Sequence, residues 1–425
     1  MKKKEFKNLD LSYYYEKLEN GLEVVMIPME NKKNYFITYA TRFGSDITSF
    51  ASKDAKKEKK YPDGIAHFLE HKMFEQEDGV DPFTFFSQTG TGSNASTSFD
   101  NTQYICYGTK NFNENLRYLI NFVNSPYYTD ENVEKEKGII AEEIKMYDDV
   151  PDFKLEMRLR ENLFSALPRR IDIGGSIKEI NKITKEDLYN CYNNFYTPNN
   201  MFIIIVGNFN VKEASKIISE ELELKENVKT PKIKEIVEKK QVRLKKDEIT
   251  GNIEIPKVAF GLKQHLKDFE EYDKVDLDLY FSMITKILFG GSSTFKENAI
   301  EKNLLNNLYI DGEDAGEFKI FFLMADSNNP EELIKEIKKE INKDSLDKET
   351  FERMKKVSIA NEVRISDDVS GMVRTAFNDL LYYKEVIDDR VNRIRNLNYE
   401  DLMNIFNKID KENYASIIMK PKKRK

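Results

Sequence analysis

Strand-like and helix-like segments alternate along the chain. Apolar stretches such as Tyr35 to Phe43 and Tyr104 to Gly108 have the short length and alternation of strands. They are interleaved with longer segments in which apolar residues return every three or four positions, as on one side of a helix. The pattern favours an α+β fold with largely antiparallel sheets and helices packed on one face of each sheet.

Three landmarks of the first half recur in the second half at a nearly constant distance. Each is the polar start of a helix, and the last leads into an apolar strand in both halves. The offsets are 217 residues from Leu116 to Leu333, 218 from Val133 to Phe351, and 214 from Leu188 to Leu402. Chance recurrence of helix caps is the alternative explanation. We expect two homologous domains, at residues 1–225 and 251–425, with a Lys- and Glu-rich linker at 226–250.

The composition limits the classes of partner. The chain has 425 residues, with 74 acidic and 67 basic side chains and a formal net charge of −7, so it has no basic excess for nucleic acid or an anionic membrane. No long apolar run and no signal-peptide pattern is found, and we expect a cytoplasmic protein without a membrane partner. Cys106 and Cys191 lie in strand-like and helix-like contexts and are expected to be buried thiols.

Two of the three histidines in the chain, His67 and His71, are four residues apart in a helical segment. Residues at this spacing share one side of a helix, so both imidazoles can reach the same metal ion. Glu70 is adjacent to the second histidine, which makes it a poor ligand for that ion and a good general base for a hydrolytic water. A histidine pair without a metal is the alternative, and further carboxylates in register argue against it.

A third ligand is expected on the segment 131–148, which has helical spacing. Glu136 and Glu143 are seven residues apart and fall within about 20° of each other on a helix, whereas Glu142 points away. Catalytic zinc commonly has three protein ligands and one open position. The sequence therefore predicts Zn²⁺ bound by His67, His71 and Glu143, with Glu136 as a supporting carboxylate.

This arrangement resembles the inverzincins, the pitrilysin/insulinase family of zinc metallopeptidases, and within it the processing-peptidase branch. The resemblance rests on His67 to His71, on the segment 134–144, and on segments 172–176 and 196–201. It implies a zinc metalloendopeptidase, similar to the catalytic subunit of bacterial two-subunit pairs. Peptides would be hydrolysed inside a closed chamber of bowl-like halves, by a zinc-bound water that Glu70 activates, with Glu136 as a second functional carboxylate.

The resemblance also implies substrate-binding residues. The segment 92–99 has the pattern of a hairpin strand at a sheet edge, with a solvated hairpin as the alternative, and Asn94 and Ala95 match the strand that binds substrate in the family. The family's Arg and Tyr of the second domain are seven residues apart; here Lys302 and Tyr309 keep that spacing without the Arg.

The expected partners are a peptide substrate and a second subunit. No histidine occurs near residue 284, the second-half position equivalent to the zinc helix, so we expect that half to be catalytically silent. Relatives close their chambers by pairing two chains of this size, which implies a homodimer or a heterodimer with a homologous subunit. The alternative function is a non-catalytic scaffold or partner subunit of a heterodimeric processing peptidase.

Overall fold

A computed structural model describes residues 1–51, 58–222 and 229–422 of the protein. Its strands are β1 Lys2–Glu5, β2 Ser12–Lys17, β3 Glu23–Pro28, β4 Tyr35–Thr41, β5 Ser49–Phe50, β6 Lys59–Lys60, β7 Gly92–Thr97, β8 Thr102–Gly108, β9 Met201–Gly207, β10 Lys246–Gly251, β11 Lys257–His265, β12 Asn307–Ala315, β13 Phe318–Asp326 and β14 Tyr414–Pro421. Its α-helices are α1 Ile65–Met73, α2 Pro82–Gln88, α3 Phe112–Val123, α4 Asp130–Asp148, α5 Pro151–Leu163, α6 Ile177–Ile180, α7 Lys185–Phe195, α8 Val211–Leu222, α9 Lys274–Phe289, α10 Thr294–Glu301, α11 Pro330–Ile341, α12 Lys348–Ser366, α13 Val369–Asn378, α14 Arg390–Asn396 and α15 Tyr399–Lys408.

The chain forms two compact units, and neither is continuous in sequence. The first unit contains residues 1–144, 172–235 and 362–390, and the second contains 145–171, 236–361 and 391–425. The predicted linker, 226–250, begins outside the described residues, and its last residues belong to β10 in the second unit. The domain boundaries given by the sequence pattern remain a prediction.

The sheet of the first unit has the strand order β1-β2-β3-β9-β4-β8-β7. Neighbouring strands are antiparallel except β3 and β9, which are parallel. Alternate residues of β3 and β9, such as Val24 and Ile203, face a core formed with α1, α3, α7 and α8. Their neighbours in sequence, such as Val25 and Ile204, face the other side and pack against α13.

The sheet of the second unit has the order β10-β14-β11-β13-β12, with β10 parallel to β14 and the other pairs antiparallel. One face, which includes Val258 and Phe260, packs against α9, α11 and α15. The opposite face, which includes Ala259 and Ile417, packs against α5.

Both sheets therefore carry helices on both faces, which corrects the expectation of helices on one face. The physical reason lies in the central strands, where β9 is buried at every position from Met201 to Gly207. A strand buried on both faces reads as a continuous apolar run instead of an alternation. In each unit a helix from a distant part of the chain, α13 or α5, contributes to the second layer.

The internal repeat predicted from the sequence is present as matching elements. Helices α3 and α11 have 12 residues each, and α4 and α12 have 19 residues each. Helices α7 and α15 precede the interior strands β9 and β14. The predicted α+β class with two related halves is confirmed.

None of the described helices combines the length and the apolar character needed to cross a bilayer. Cys106 in β8 and Cys191 in α7 are buried, as predicted.

Candidate metal centre

Helix α1, which carries both candidate histidine ligands, begins at a tight contact between two loops. Gly64 caps the helix with φ of 91°, and a Cβ there would lie 2.4 Å from the carbonyl oxygen of Gly174. Gly175, with φ of 74°, faces the same contact, since its Cβ would lie 2.3 Å from the carbonyl oxygen of Asp63. Only glycine has low strain in this backbone conformation. The loop 172–175 therefore fixes where the first turn of α1 starts.

The structure brings His67, His71 and Glu143 together. One ligand atom from each of them lies within 4.8 Å of the other two. Among the described residues, these three side chains form a group that could hold a metal ion, called here the metal-type cluster. The Glu143 carboxylate is 3.8 Å from His67 Nε2 and 3.4 Å from His71 Nε2. Both imidazoles thus turn the same ring nitrogen towards one carboxylate.

This donor set has the chemistry of a catalytic zinc site. Zinc binds imidazole nitrogen and carboxylate oxygen, and two histidines with one glutamate leave a position open for water or substrate. Glu136 lies about two helical turns before Glu143 on α4. It accepts a hydrogen bond from His71 Nδ1 at 3.0 Å. A carboxylate that is hydrogen-bonded to Nδ1 fixes the orientation of the ring, so that Nε2 is available to a metal. The residues fit zinc, and their role as ligands remains a prediction.

The two histidines differ in proton affinity. Burial and, to a smaller extent, the nearby His71 lower the pKa of His67 to about 4, against an opposing effect of Glu136. Burial alone would also lower the pKa of His71, but the hydrogen bond and charge of Glu136, together with Glu70 and Glu143, outweigh it and raise the pKa. Conversely, Glu136 is buried, yet its bond to His71 holds its pKa below the usual value. His67 is therefore neutral at pH 7, whereas His71 holds a proton more tightly than a free histidine.

Glu70 lies on the same helix but has a separate environment. Its side chain is 8% exposed, and its Oε2 accepts a hydrogen bond from the hydroxyl of Thr97 at 2.6 Å. Burial raises the pKa of Glu70, and the Thr97 bond and His71 partly offset that increase. A carboxyl with a raised pKa next to a metal-type cluster is suited to accept and return a proton near neutral pH.

Two supporting residues were missed by the sequence analysis. Thr97, which holds Glu70, is the last residue of β7 and lies on the same side of that strand as Ala95; strand alternation could have found it. Lys72 is fully buried, donates to the Asn132 carbonyl at 3.3 Å, and its charge helps to lower the pKa of Glu136. A lysine in the middle of an apolar helix was the available signal for it.

The predicted substrate strand lies at the edge of its sheet. Among the described residues β7 pairs with β8 alone, and Asn94 and Ala95 stand opposite Ile105 and Tyr104. Asn94 is exposed, whereas Ala95 is half-buried and packs against the core. One side of the strand that carries Thr97 therefore has backbone groups free of a described partner strand.

Lys302 and Tyr309 belong to the second unit, and their described contacts are local. The Lys302 ammonium pairs with Glu336 at 3.2 Å, and the Tyr309 hydroxyl donates to Asp311 at 2.9 Å. Both side chains are largely exposed. Nothing in these contacts supports a catalytic role for either residue, and their assignment to substrate binding stays a prediction.

Comparison with known proteins identifies the family of this site. Residues 55–174, which include α1 and Glu143, match the family described as Insulinase (Peptidase family M16). The chain belongs to the insulinase family. Residues 182–357 match the family's domain described as Peptidase M16 inactive domain, in keeping with a helix α9 that contains no histidine.

Similar proteins include an uncharacterized zinc protease, YmfH, from Bacillus subtilis, which is 37% identical over 336 residues covering 78% of each chain. The zinc protease PqqE of Helicobacter pylori is 24% identical over 95% of this chain and 92% of its own. A crystal structure described as an M16-like peptidase from Alicyclobacillus acidocaldarius superposes with a TM-score of 0.91 at 28% identity, covering 98% of this chain and all of the other. These insulinase-family relatives support a peptidase-like role.

Proposed function

We propose that this insulinase-family chain is a zinc metalloendopeptidase whose metal is held by His67, His71 and Glu143. The observation that carries the proposal is the convergence of two imidazole Nε2 atoms and one carboxylate within 4.8 Å, beside a buried glutamate that is not part of the cluster. The relatives named as zinc proteases support the same chemistry.

Zinc, when bound there, would polarise the scissile carbonyl and make a water molecule more acidic. Glu70 accepts the proton of the attacking water at its carboxylate and returns it to the leaving amine nitrogen. Thr97 holds the Glu70 side chain in one orientation through its 2.6 Å hydrogen bond. Glu136 acts as a positioning residue, because its bond to His71 Nδ1 keeps the Nε2 atom directed at the metal.

The substrate would bind as an extended peptide along β7. An edge strand offers N–H and C=O groups that pair with a peptide backbone of any sequence. Asn94 and Ala95 lie three and two residues from Thr97 on this strand, so a peptide paired there would run past Glu70. The strand thus favours peptides that can adopt an extended conformation.

The proposal extends to a cytoplasmic enzyme that pairs with a second, homologous subunit. In the second unit Lys302 and Tyr309 make local surface contacts, so the donors that stabilise the tetrahedral oxyanion would come from elsewhere in a closed chamber. A homologous subunit is the natural source. Size and activity measured for the purified chain alone and with a homologous subunit test this part.

The zinc site is tested by exchanging one carboxylate at a time on α4. We expect one zinc per chain in the wild type. Loss of a supporting residue costs about 10–100-fold in metal affinity, so Glu143→Gln, which removes a ligand, should lose more than about 100-fold. Glu142→Gln makes the same chemical change one residue away, on an exposed position, and should bind zinc as the wild type does. Competition with a chelator measures both, and equal affinity of the two variants would contradict the ligand assignment.

Zinc affinity should depend on pH through one histidine. A metal binds neutral imidazole, so a proton on His71, whose pKa is raised, must leave before zinc binds, whereas His67, with a pKa of about 4, is already neutral. Affinity should therefore rise about tenfold per pH unit up to the pKa of His71 and level off above it. Calorimetry of Glu70→Gln in two buffers should give release of about one proton per zinc near pH 6; release of two would contradict the difference between the histidines.

A further inference from the structure

The two candidate histidine ligands have unequal support on their second ring nitrogen. His71 Nδ1 donates directly to the Glu136 carboxylate at 3.0 Å. His67 Nδ1 is buried and makes no hydrogen bond to any described residue. With zinc bound at His67 Nε2, as proposed above, the single proton of the neutral ring is on Nδ1. A buried N–H without an acceptor is destabilising, so this atom calls for an acceptor.

A carboxylate borders the space next to His67 Nδ1. The position that a Cβ would occupy at Gly174 lies 3.8 Å from His67 Nδ1, 3.6 Å from Asp172 Oδ1 and 3.7 Å from Ile144 Cγ1. The same Asp172 oxygen accepts the Gly174 backbone N–H at 2.8 Å, which fixes its orientation. Since Gly174 has no side chain, the nitrogen and the carboxylate oxygen both border the space that a side chain would otherwise fill.

We propose that Asp172 is a positioning residue of the metal centre, which accepts the Nδ1 proton of His67 through one water molecule held beside Gly174. This inference rests on the proposed zinc site. It gives each histidine its own carboxylate, Glu136 from α4 for one and Asp172 from the loop 172–175 for the other. It also gives Gly174 a reason to lack a side chain, because a methyl group would narrow the space that the water needs beside both atoms.

Two variants test the bridge without disturbing the loop. Gly174→Ala adds a Cβ at ordinary contact distances of 3.6–3.8 Å, so it fills the space without a clash. Asp172→Asn keeps an oxygen for the Gly174 N–H and removes the charge. Zinc affinity, measured with the metal alone by chelator competition, should fall about 10–100-fold in Gly174→Ala and about tenfold in Asp172→Asn, while the melting temperature of the zinc-free protein stays unchanged. Gly138→Ala, whose Cβ would meet no atom within 4 Å, is the matched control and should keep wild-type affinity.

Nuclear magnetic resonance of the zinc-loaded protein gives a second readout. Because the chain has only three histidines, few imidazole N–H signals have to be assigned. The Nδ1–H signal of His67 should shift or exchange faster with solvent in Gly174→Ala, whereas that of His71, bonded to Glu136, should not move. Wild-type affinity in both variants, or an unchanged His67 signal in Gly174→Ala, would overturn the bridge and leave the zinc peptidase proposal standing. A wild-type protein that binds no zinc would overturn both.

Discussion

Replacing Glu70 by Gln is expected to reduce peptide cleavage by about 10²–10⁴-fold while zinc binding stays at the wild-type level. Gln has nearly the same size, and its amide oxygen can still accept the hydrogen bond of Thr97. It cannot accept a proton from water, so the general-base step is lost. Because Glu70 is not part of the metal-type cluster, the metal should remain. Quenched peptides of extended conformation and a zinc determination on the same sample measure the two effects.

The matched control is Glu142→Gln, which makes the same chemical change at an exposed position of α4. It should cleave peptides at the wild-type rate. Both variants and the wild type are assayed under identical conditions, alone and with a homologous subunit, so that a missing partner cannot be mistaken for a defective base. Wild-type cleavage by Glu70→Gln with zinc bound would remove Glu70 from the mechanism.

Much of this site was accessible from the sequence because its geometry is set by helical spacing. A spacing of four places His67 and His71 on one side of α1, and a spacing of seven places Glu136 and Glu143 on one side of α4. The structure brings these four side chains together: Glu136 is hydrogen-bonded to His71, and Glu143 faces both imidazole rings. Periodicity within a helix is local information, and a sequence carries it directly.

What the sequence did not reveal depends on contacts between distant segments. The hydrogen bond from Thr97 to Glu70 joins a strand to a helix. Strand alternation places Thr97 on the same side as Ala95, but it does not show that Glu70 is its partner. The same holds for the fold: the repeat of helix starts predicted two related halves, but not that α5 and α13 would cover the second face of each sheet. A continuous apolar strand such as β9 shows that a second layer exists, without showing which helix provides it.

A buried ion pair in the second unit gives the largest expected effect on stability. Lys263 and Glu238 are 0% and 1% exposed, and the Lys263 ammonium donates to the Glu238 carboxylate, to the Leu163 carbonyl and to the Lys239 carbonyl at 2.7–3.0 Å. Glu238 also accepts the backbone N–H groups of residues 165–167, at 2.6–3.2 Å. The pair thus joins strand β11 to the end of α5 and to the segment before β10. Burial lowers the pKa of Lys263, and Glu238 partly offsets that change.

Lys263→Met should therefore destabilise the second unit by about 3–5 kcal/mol, since it leaves an ionised Glu238 and two carbonyls buried without their partner. For a unit of 150–250 residues each kcal/mol lowers the melting temperature by about 2–4 °C, so we expect a decrease of about 6–20 °C.

Lys240→Met is the matched control, because Lys240 pairs with Asp268 at 2.7 Å on the surface, where both side chains are at least 40% exposed and water screens the charges. Adding Glu238→Gln to Lys263→Met should recover part of the loss, because the double variant no longer buries an unpaired charge. Equal melting temperatures for Lys263→Met and Lys240→Met would show that the buried pair contributes no more than a surface one.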